Sequence, residues 1–390
     1  MNKFDFYSVP RILFGGGQFS RVGELTSQFG RRAFIVYNGS QAIADRLIAM
    51  IDAAGIGHEI FRQHGEPKVQ DIDAAIDLAR RAMSDVVIGL GGGSAIDAAK
   101  AVAGLISNGG SALDYMEVIG KGQKLTRAAA PWIAIPTTAG TGAEATRNAV
   151  IGAPERRFKA SIRGEQLLAR VALIDPELGV TTPPNVTASS GMDALCQCIE
   201  SYTSTGAHPM TDALALRGIT LAARSLRRAY SNGDDDLDAR EAMAMTALLS
   251  GIALTNAGLG AVHGFAAPLG ANFPAPHGTI CAALLPGVIA ANVAWLRAES
   301  EDHPVLGRYA TIGRALSAES GLTDPQAIDA AILFCVDLSQ ELHIPPLGQF
   351  RIAEADVPAM VELAKKASSM RFNPATLSDA ALNGILSDAL

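Results

Sequence analysis

Apolar positions in the first half of the chain fall in short unbroken runs separated by stretches of helical spacing. Residues 33–37 (AFIVY) end at Asn38-Gly39-Ser40, a turn signal. Helical spacing follows over 43–54, a short strand falls at 60–61, and 69–83 reads as an amphipathic helix. DVVIGL at 85–90 is rich in β-branched residues and flanked by glycine, as a buried strand is. It runs into Gly91-Gly92-Gly93-Ser94 and then a helix through Ala103. WIAIP at 132–136 and ALIDP at 172–176 read as further strands. Unbroken strands alternating with helices predict a mainly parallel sheet covered on both faces.

The pattern changes after Thr181-Thr182-Pro183-Pro184. Helical spacing then dominates, for example over 187–203, 209–230, 239–257, 325–342 and 355–369, without clear strand runs. The expectation is an α/β domain over 1–184 and an all-helical domain over 185–390. Asp234-Asp235-Asp236 reads as a solvated loop.

The 390 residues are 48% apolar and 18% charged, which excludes a disordered chain. Net charge is −7 with no Lys/Arg block, which disfavours a nucleic-acid partner. Arg31-Arg32, Arg80-Arg81 and Arg227-Arg228 read as isolated pairs at solvated edges. Cys196, Cys198, Cys281 and Cys335 form no CxxC pair, so reduced, buried thiols are expected. No signal-peptide h-region and no unbroken apolar run of membrane-spanning length is visible, so a soluble, cytoplasmic protein is expected.

Two polar loops carry the first candidate chemistry. GGGSAIDAAK (91–100) lies between a strand and a helix, where glycine backbone N–H groups and the helix N-terminus suit a pyrophosphate. Ser94 is placed either to cap the helix or to bond a phosphate oxygen. PTTAGTGAE (136–144) also follows a strand, and ligands of open α/β sheets sit beyond the carboxyl ends of strands. A tight structural turn and a hydroxyl-capped turn are the plain readings of each loop alone. Together the loops favour one extended cofactor. The strand ending at Asn38 carries no acid to repel a 2′-phosphate, so both NAD and NADP remain open.

The second candidate is a metal site. Asp193 and Gln197 share one helix face, and His263 and His277 each precede a glycine. A carboxylate and two imidazoles suit a divalent metal such as Fe²⁺ or Zn²⁺. His58, His64, His208, His303 and His343 are read as structural.

GGGSAIDAAK, PTTAGTGAE, ALIDPEL (172–178), GMDALCQCIESY (191–202) and GLGAVHGFAAPLGANFPAPHG (258–278), in this order, resemble the iron-containing (group III) alcohol dehydrogenase family. The resemblance spans essentially the whole chain. It implies a dehydroquinate synthase-like architecture: a dinucleotide-binding α/β domain followed by a helical domain, with the active site in the cleft between them. It further implies a metal-dependent NAD(P)-linked oxidoreductase interconverting alcohols and aldehydes or ketones, and a homodimer.

Carried over by motif, the cofactor positions are Asn38, Gly92, Gly93, Ser94, Asp97, Thr137, Thr138, Thr141 and Lys159, with Asn148 near the nicotinamide. The metal positions are Asp193, Gln197, His263 and His277, and the catalytic set is His263, His277 and Asn148. Gln197 stands where the family usually has His; it is open whether it ligates, donates from outside the metal shell, or does neither. Ala267 stands where the family often has a relay His. Val262, Phe265, Ala266 and Ala267 suggest an apolar substrate pocket. Two rival readings remain: a lyase resembling dehydroquinate synthase, against which Lys159 stands without a basic cluster, and a degenerate member that has lost metal and activity.

Overall fold

The computed structural model describes residues 3–390. Residues 7–182 form one compact unit; residues 183–390, joined by residues 3–6, form another. The short N-terminal segment thus groups with the helices, not with the α/β domain to which 1–184 assigned it.

The α/β unit contains β1 (Ile12–Phe14), α1 (Val22–Ser27), β2 (Arg32–Tyr37), α2 (Gln41–Ala53), β3 (Gly57–Arg62), α3 (Val69–Arg81), β4 (Val86–Gly91), α4 (Gly93–Asn108), α5 (Ala112–Tyr115), β5 (Trp132–Pro136), β6 (Asn148–Ala153), β7 (Phe158–Arg163) and β8 (Val171–Ile174). Six strands pair in the order β1-β8-β5-β4-β2-β3, every pair parallel. β2, β4 and β5 are buried along nearly their whole length, as central parallel strands are, which is why they read as unbroken apolar runs. The sequence left β1 and the antiparallel β6–β7 hairpin unmarked.

Register places three strand ends side by side: Tyr37 beside Leu90, Leu90 beside Ile135, and Gly91 beside Pro136. The ladder continues one step beyond the strands, with Asn38 N–H donating to the Leu90 carbonyl (3.1 Å) and Thr137 N–H to the Gly91 carbonyl (2.9 Å). Asp175 closes β8: its buried carboxylate accepts from Phe19 N–H at 2.9 Å and Glu177 N–H at 3.1 Å. The acid of the ALIDPEL motif therefore holds the N-terminal turn of the sheet.

The helical unit contains α6 (Pro184–Thr203), α7 (Pro209–Asn232), α8 (Leu237–Ala257), α9 (Ala261–Asn272), α10 (His277–Glu299), α11 (Pro304–Ser317), α12 (Asp324–Glu341), α13 (Val357–Ala364) and α14 (Asp379–Ser387). α6 starts with Pro184 at its first position and is buried without interruption from Gly191 to Thr203, packed by α7, α8 and α10. α10 is long and apolar enough to cross a bilayer by composition, yet most of it is buried against other helices, as in a core helix. Asp236 departs from the solvated-loop reading. It caps α8 by accepting from Ala239 N–H and pairs with Arg228 at 2.8 Å. Arg227 pairs with Glu341, so that arginine pair is not merely solvated.

Candidate functional site

The first constellation lies at the carboxyl ends of β2, β4 and β5. Gly92 is the N-cap of α4, which makes Gly93 and Ser94 its first two residues. Ser94 therefore does not cap the helix, one of the two roles its position allowed. Asn38 Oδ1 accepts from Gly92 N–H at 2.9 Å, tying the β2 end to the glycine turn. The second loop closes against the first. A Cβ on Gly93 would fall 2.7 Å from Thr141 Cγ2, so only glycine allows this approach. Asn38, Gly92, Gly93, Ser94, Thr137, Thr138 and Thr141 thus gather along one edge of the sheet.

Of the remaining cofactor positions, Asp97 and the Asn148 carbonyl belong to a buried polar knot around Lys100. The Lys100 ammonium is fully buried and donates to Asp97 Oδ1 (3.1 Å), Thr146 Oγ1 (2.6 Å) and the Asn148 carbonyl (2.7 Å). Asp97 Oδ2 accepts from Val150 N–H at 3.0 Å, so its carboxylate ties α4 to the hairpin. Burial lowers the Lys100 pKa even against Asp97. Burial also lifts the nearby Glu144 carboxyl to about 7. Lys159 forms an ion pair with Glu66. The Asn148 side chain is half-buried and reaches Ser161 Oγ only at 3.5 Å.

The second constellation lies wholly within the helical unit. Asp193, Gln197 and Glu200 project from one stripe of α6, four and then three residues apart. Glu200 receives the start of α9. Its Oε1 accepts from Val262 N–H at 2.8 Å, and its Oε2 lies 2.6 Å from His263 Nδ1. A carboxylate at a helix N-terminus is electrostatically favoured. Asn373 Oδ1 accepts from the neighbouring Ala261 N–H at 3.1 Å. With its Nδ1–H donated to Glu200, His263 turns the lone pair of Nε2 towards Asp193.

α10 supplies the opposite wall. Gly278 sits so close to α6 that a Cβ would lie 2.2 Å from the Ser189 carbonyl oxygen. That approach brings His277 Nε2 to 3.7 Å from Asp193 Oδ1, while His263 Nε2 lies at 3.3 Å. One helical turn beyond His277, Cys281 Sγ stands 3.8 Å from each of the two Nε2 atoms. These four donors lie within 4.8 Å of one another. Asp193 is 2% exposed, and its Oδ1 has no well-formed hydrogen bond among the described residues, only the two ring nitrogens at ion-pair distance.

Electrostatics follows from this crowding. Burial pushes the Asp193 carboxyl pKa up. Burial opposes charge on His277, but the Cys281 sulfur and the Asp193 carboxylate outweigh it and bring the imidazole to about 9. Burial would also raise the Cys281 thiol; the Cys196 thiol and the two imidazoles pull it well below its ordinary value.

The structure therefore brings Asp193, His263 and His277 together. It gives Gln197 a different partner: its Oε1 accepts from Ser250 Oγ at 2.7 Å. Sequence reasoning passed over Glu200 and Cys281. The available signals were the seven-residue step from Asp193 to Glu200 and the four-residue step from His277 to Cys281. Val262, Phe265 and Ala266 are fully buried, and only Ala267 of that group is partly exposed. The histidines read as structural are mostly engaged so: His303 caps α11, His343 meets Tyr230 and His58 meets Asp52, while His208 stacks on Phe4. All four cysteines are free and buried.

Comparison with known proteins places the whole chain in one family. The family model of iron-containing alcohol dehydrogenase matches residues 10–176, and that of the Fe-containing alcohol dehydrogenase family, C-terminal, matches residues 187–390. The chain is 34% identical to a choline dehydrogenase of Bacillus subtilis, over 99% of this chain and 95% of that protein. It is 36% identical to a 1,3-propanediol dehydrogenase of Klebsiella pneumoniae, over 94% of each. A crystal structure of a 1,3-propanediol oxidoreductase superposes with a TM-score of 0.92 at 32% identity, covering all of both chains. These matches favour the dehydrogenase over the dehydroquinate synthase-like lyase. The chain belongs to the iron-containing alcohol dehydrogenase family, whose fold it has, and is a metal-dependent oxidoreductase of alcohols and aldehydes.

Proposed function

We propose that the protein catalyses reversible hydride transfer between a small alcohol and NAD or NADP, using a divalent metal, Fe²⁺ or Zn²⁺, held by Asp193, His263 and His277. The observation that carries this reading is the buried Asp193 Oδ1, which has no hydrogen-bond partner among the described residues and faces two imidazole nitrogens at 3.3 and 3.7 Å. Leaving such an oxygen unanswered costs about 1–3 kcal/mol, more when it is charged. A cation between the three donors would answer it. The donor types suit the metal, and tetrahedral bonds of ~2.0–2.1 Å would hold such atoms about 3.3 Å apart.

Bound there, the metal would supply Lewis-acid stabilisation of charge on the substrate oxygen, and the dinucleotide would supply the hydride acceptor or donor. The chain's own residues position both. Glu200 fixes the tautomer and ring plane of His263. Gly92, Gly93 and Ser94 offer backbone N–H groups at the α4 N-terminus to the cofactor pyrophosphate, with Thr137, Thr138 and Thr141 supplying hydroxyls beside them. Asp97 and Lys159 support this reading less directly, because each is already engaged within its unit. Asn148 is assigned beside the nicotinamide, on family correspondence. Ala267 carries no titratable atom, so the alcohol proton does not leave through position 267.

On this reading residues 1–184 bind the dinucleotide and 185–390 hold the metal and substrate. A homodimer in the cytoplasm completes it, from the family resemblance and the four free thiols. The test pairs elemental analysis of protein purified without chelator with a panel of alcohols and both cofactors, starting from choline and 1,3-propanediol. The expected result is one divalent metal per chain and cofactor reduction, both lost in His263→Ala. A metal-free wild type with full activity would overturn the proposal.

A further inference from the structure

We propose that Cys281 is a protein ligand of the metal, completing an Asp-His-His-Cys set with Asp193, His263 and His277. The inference rests on the metal reading above and goes beyond it by giving the site a sulfur donor. Cys281 follows His277 by one helical turn, so both side chains leave the same face of α10. Its Sγ lies 3.8 Å from His263 Nε2 and 3.8 Å from His277 Nε2. Tetrahedral bonds of ~2.3 Å to sulfur and ~2.05 Å to nitrogen place those atoms about 3.6 Å apart, so small rotamer shifts suffice. The independent observation is Asp193 Oδ1, which is buried, has no hydrogen-bond partner among the described residues, and lies within 4.8 Å of the same sulfur.

Gln197 is the other candidate for the fourth position, and its environment argues against it. Its amide oxygen, the atom that would ligate, already accepts from Ser250 Oγ at 2.7 Å. The sulfur's polar neighbours are the two imidazole nitrogens and the Cys196 thiol, a weak partner that a metal ion can displace. A thiolate is also much the softer donor and shifts the preference of the site towards zinc or another thiophilic metal and away from ions that demand oxygen. Binding is balanced by release of the thiol proton to solvent as the sulfur–metal bond forms. With three imidazole and carboxylate donors and one sulfur, substrate oxygen would join as a fifth ligand or by displacing one of the four.

Cobalt substitution reads this directly, because a thiolate bound to Co²⁺ gives a near-ultraviolet sulfur-to-metal charge-transfer band that carboxylate and imidazole do not. Stripped full-length protein is titrated with Co²⁺ and its spectrum and cobalt content are measured. The expected result is a charge-transfer band in the wild type and in Cys196→Ala, and its loss in Cys281→Ala and Cys281→Ser with cobalt still bound. The serine variant preserves side-chain volume should alanine fail to fold. Cobalt-loaded wild type without the band, or a band lost in Cys196→Ala and kept in Cys281→Ser, would overturn the sulfur ligand and leave the three-donor metal site standing. Failure of the wild type to take up cobalt at all would overturn both.

Discussion

Glu200→Gln changes one atom at a position that touches no substrate, yet it should cost the protein its metal. Glu200 is 5% exposed and uses both oxygens, one on Val262 N–H at 2.8 Å and one at 2.6 Å from His263 Nδ1. An amide has only one oxygen to offer. With its oxygen on His263, its NH₂ meets the Val262 N–H donor against donor. With its NH₂ on His263, Nδ1 must accept, the proton moves to Nε2, and the lone pair aimed at Asp193 is gone. The bond lost is charge-assisted and buried, worth about 1.5–3 kcal/mol. Removing such an outer partner typically weakens metal binding 10–100-fold, which is about 1.4–2.7 kcal/mol. The two magnitudes agree, so most of the lost hydrogen bond should appear as lost affinity. Competition with a chromophoric chelator measures it, with circular dichroism confirming an unchanged helix content. An affinity within about twofold of the wild type would refute the tautomer argument, since twofold is only ~0.4 kcal/mol.

Three further outcomes are expected. Glu144, 3% exposed, has a carboxyl pKa lifted by burial to about 7 from 4.5. A raised acid pKa means stability present below the unfolded value and lost as pH rises through the folded one. Glu144→Gln should therefore melt higher than the wild type at pH 8.5, by about 3 kcal/mol at most, with the advantage vanishing near pH 4.5; equal melting differences at both pH values would contradict this. Gly278→Ala should lose ~1–3 kcal/mol in urea denaturation, because its methyl meets the Ser189 carbonyl and forces α10 from α6, and should weaken metal binding as His277 moves; unchanged stability would show that the helices can separate freely. Asn38→Asp should raise the NAD-to-NADP preference in cofactor titrations, since a carboxylate at the β2 end repels a 2′-phosphate; an unchanged ratio would place the ribose elsewhere.

The sheet was legible where strands are buried on both faces. AFIVY, DVVIGL and WIAIP have no polar alternation because helices cover them on either side, and each is an observed strand within a residue or so. β1 was not legible because its three residues sit at the sheet edge and pair only with β8. The β6–β7 hairpin was missed because NAVIGA and FKASIR mix small residues with weak alternation, and their pairing is with each other. α10 hid for the opposite reason: a helix buried around most of its circumference carries little periodic polarity. At the metal site, residue type made Asp193, His263 and His277 visible. Glu200 was hidden because its partner lies sixty-three positions away, on α9. Cys281 was hidden because a cysteine outside a CxxC pair reads as an inert core thiol, and only the packing of α10 on α9 brings its sulfur to His263 as well as to His277 of its own helix. Asp97 marks the converse. It fits a cofactor motif by position, while its carboxylate is occupied in tying α4 to β6.

The most direct measurement is an anomalous-scattering map from crystals of protein loaded with Zn²⁺ or Fe²⁺, collected on either side of the metal absorption edge. The account predicts a single strong peak about 2.0–2.3 Å from Asp193 Oδ1, His263 Nε2 and His277 Nε2. Stoichiometric metal located anywhere else, with those three side chains in direct contact and no peak among them, would contradict it.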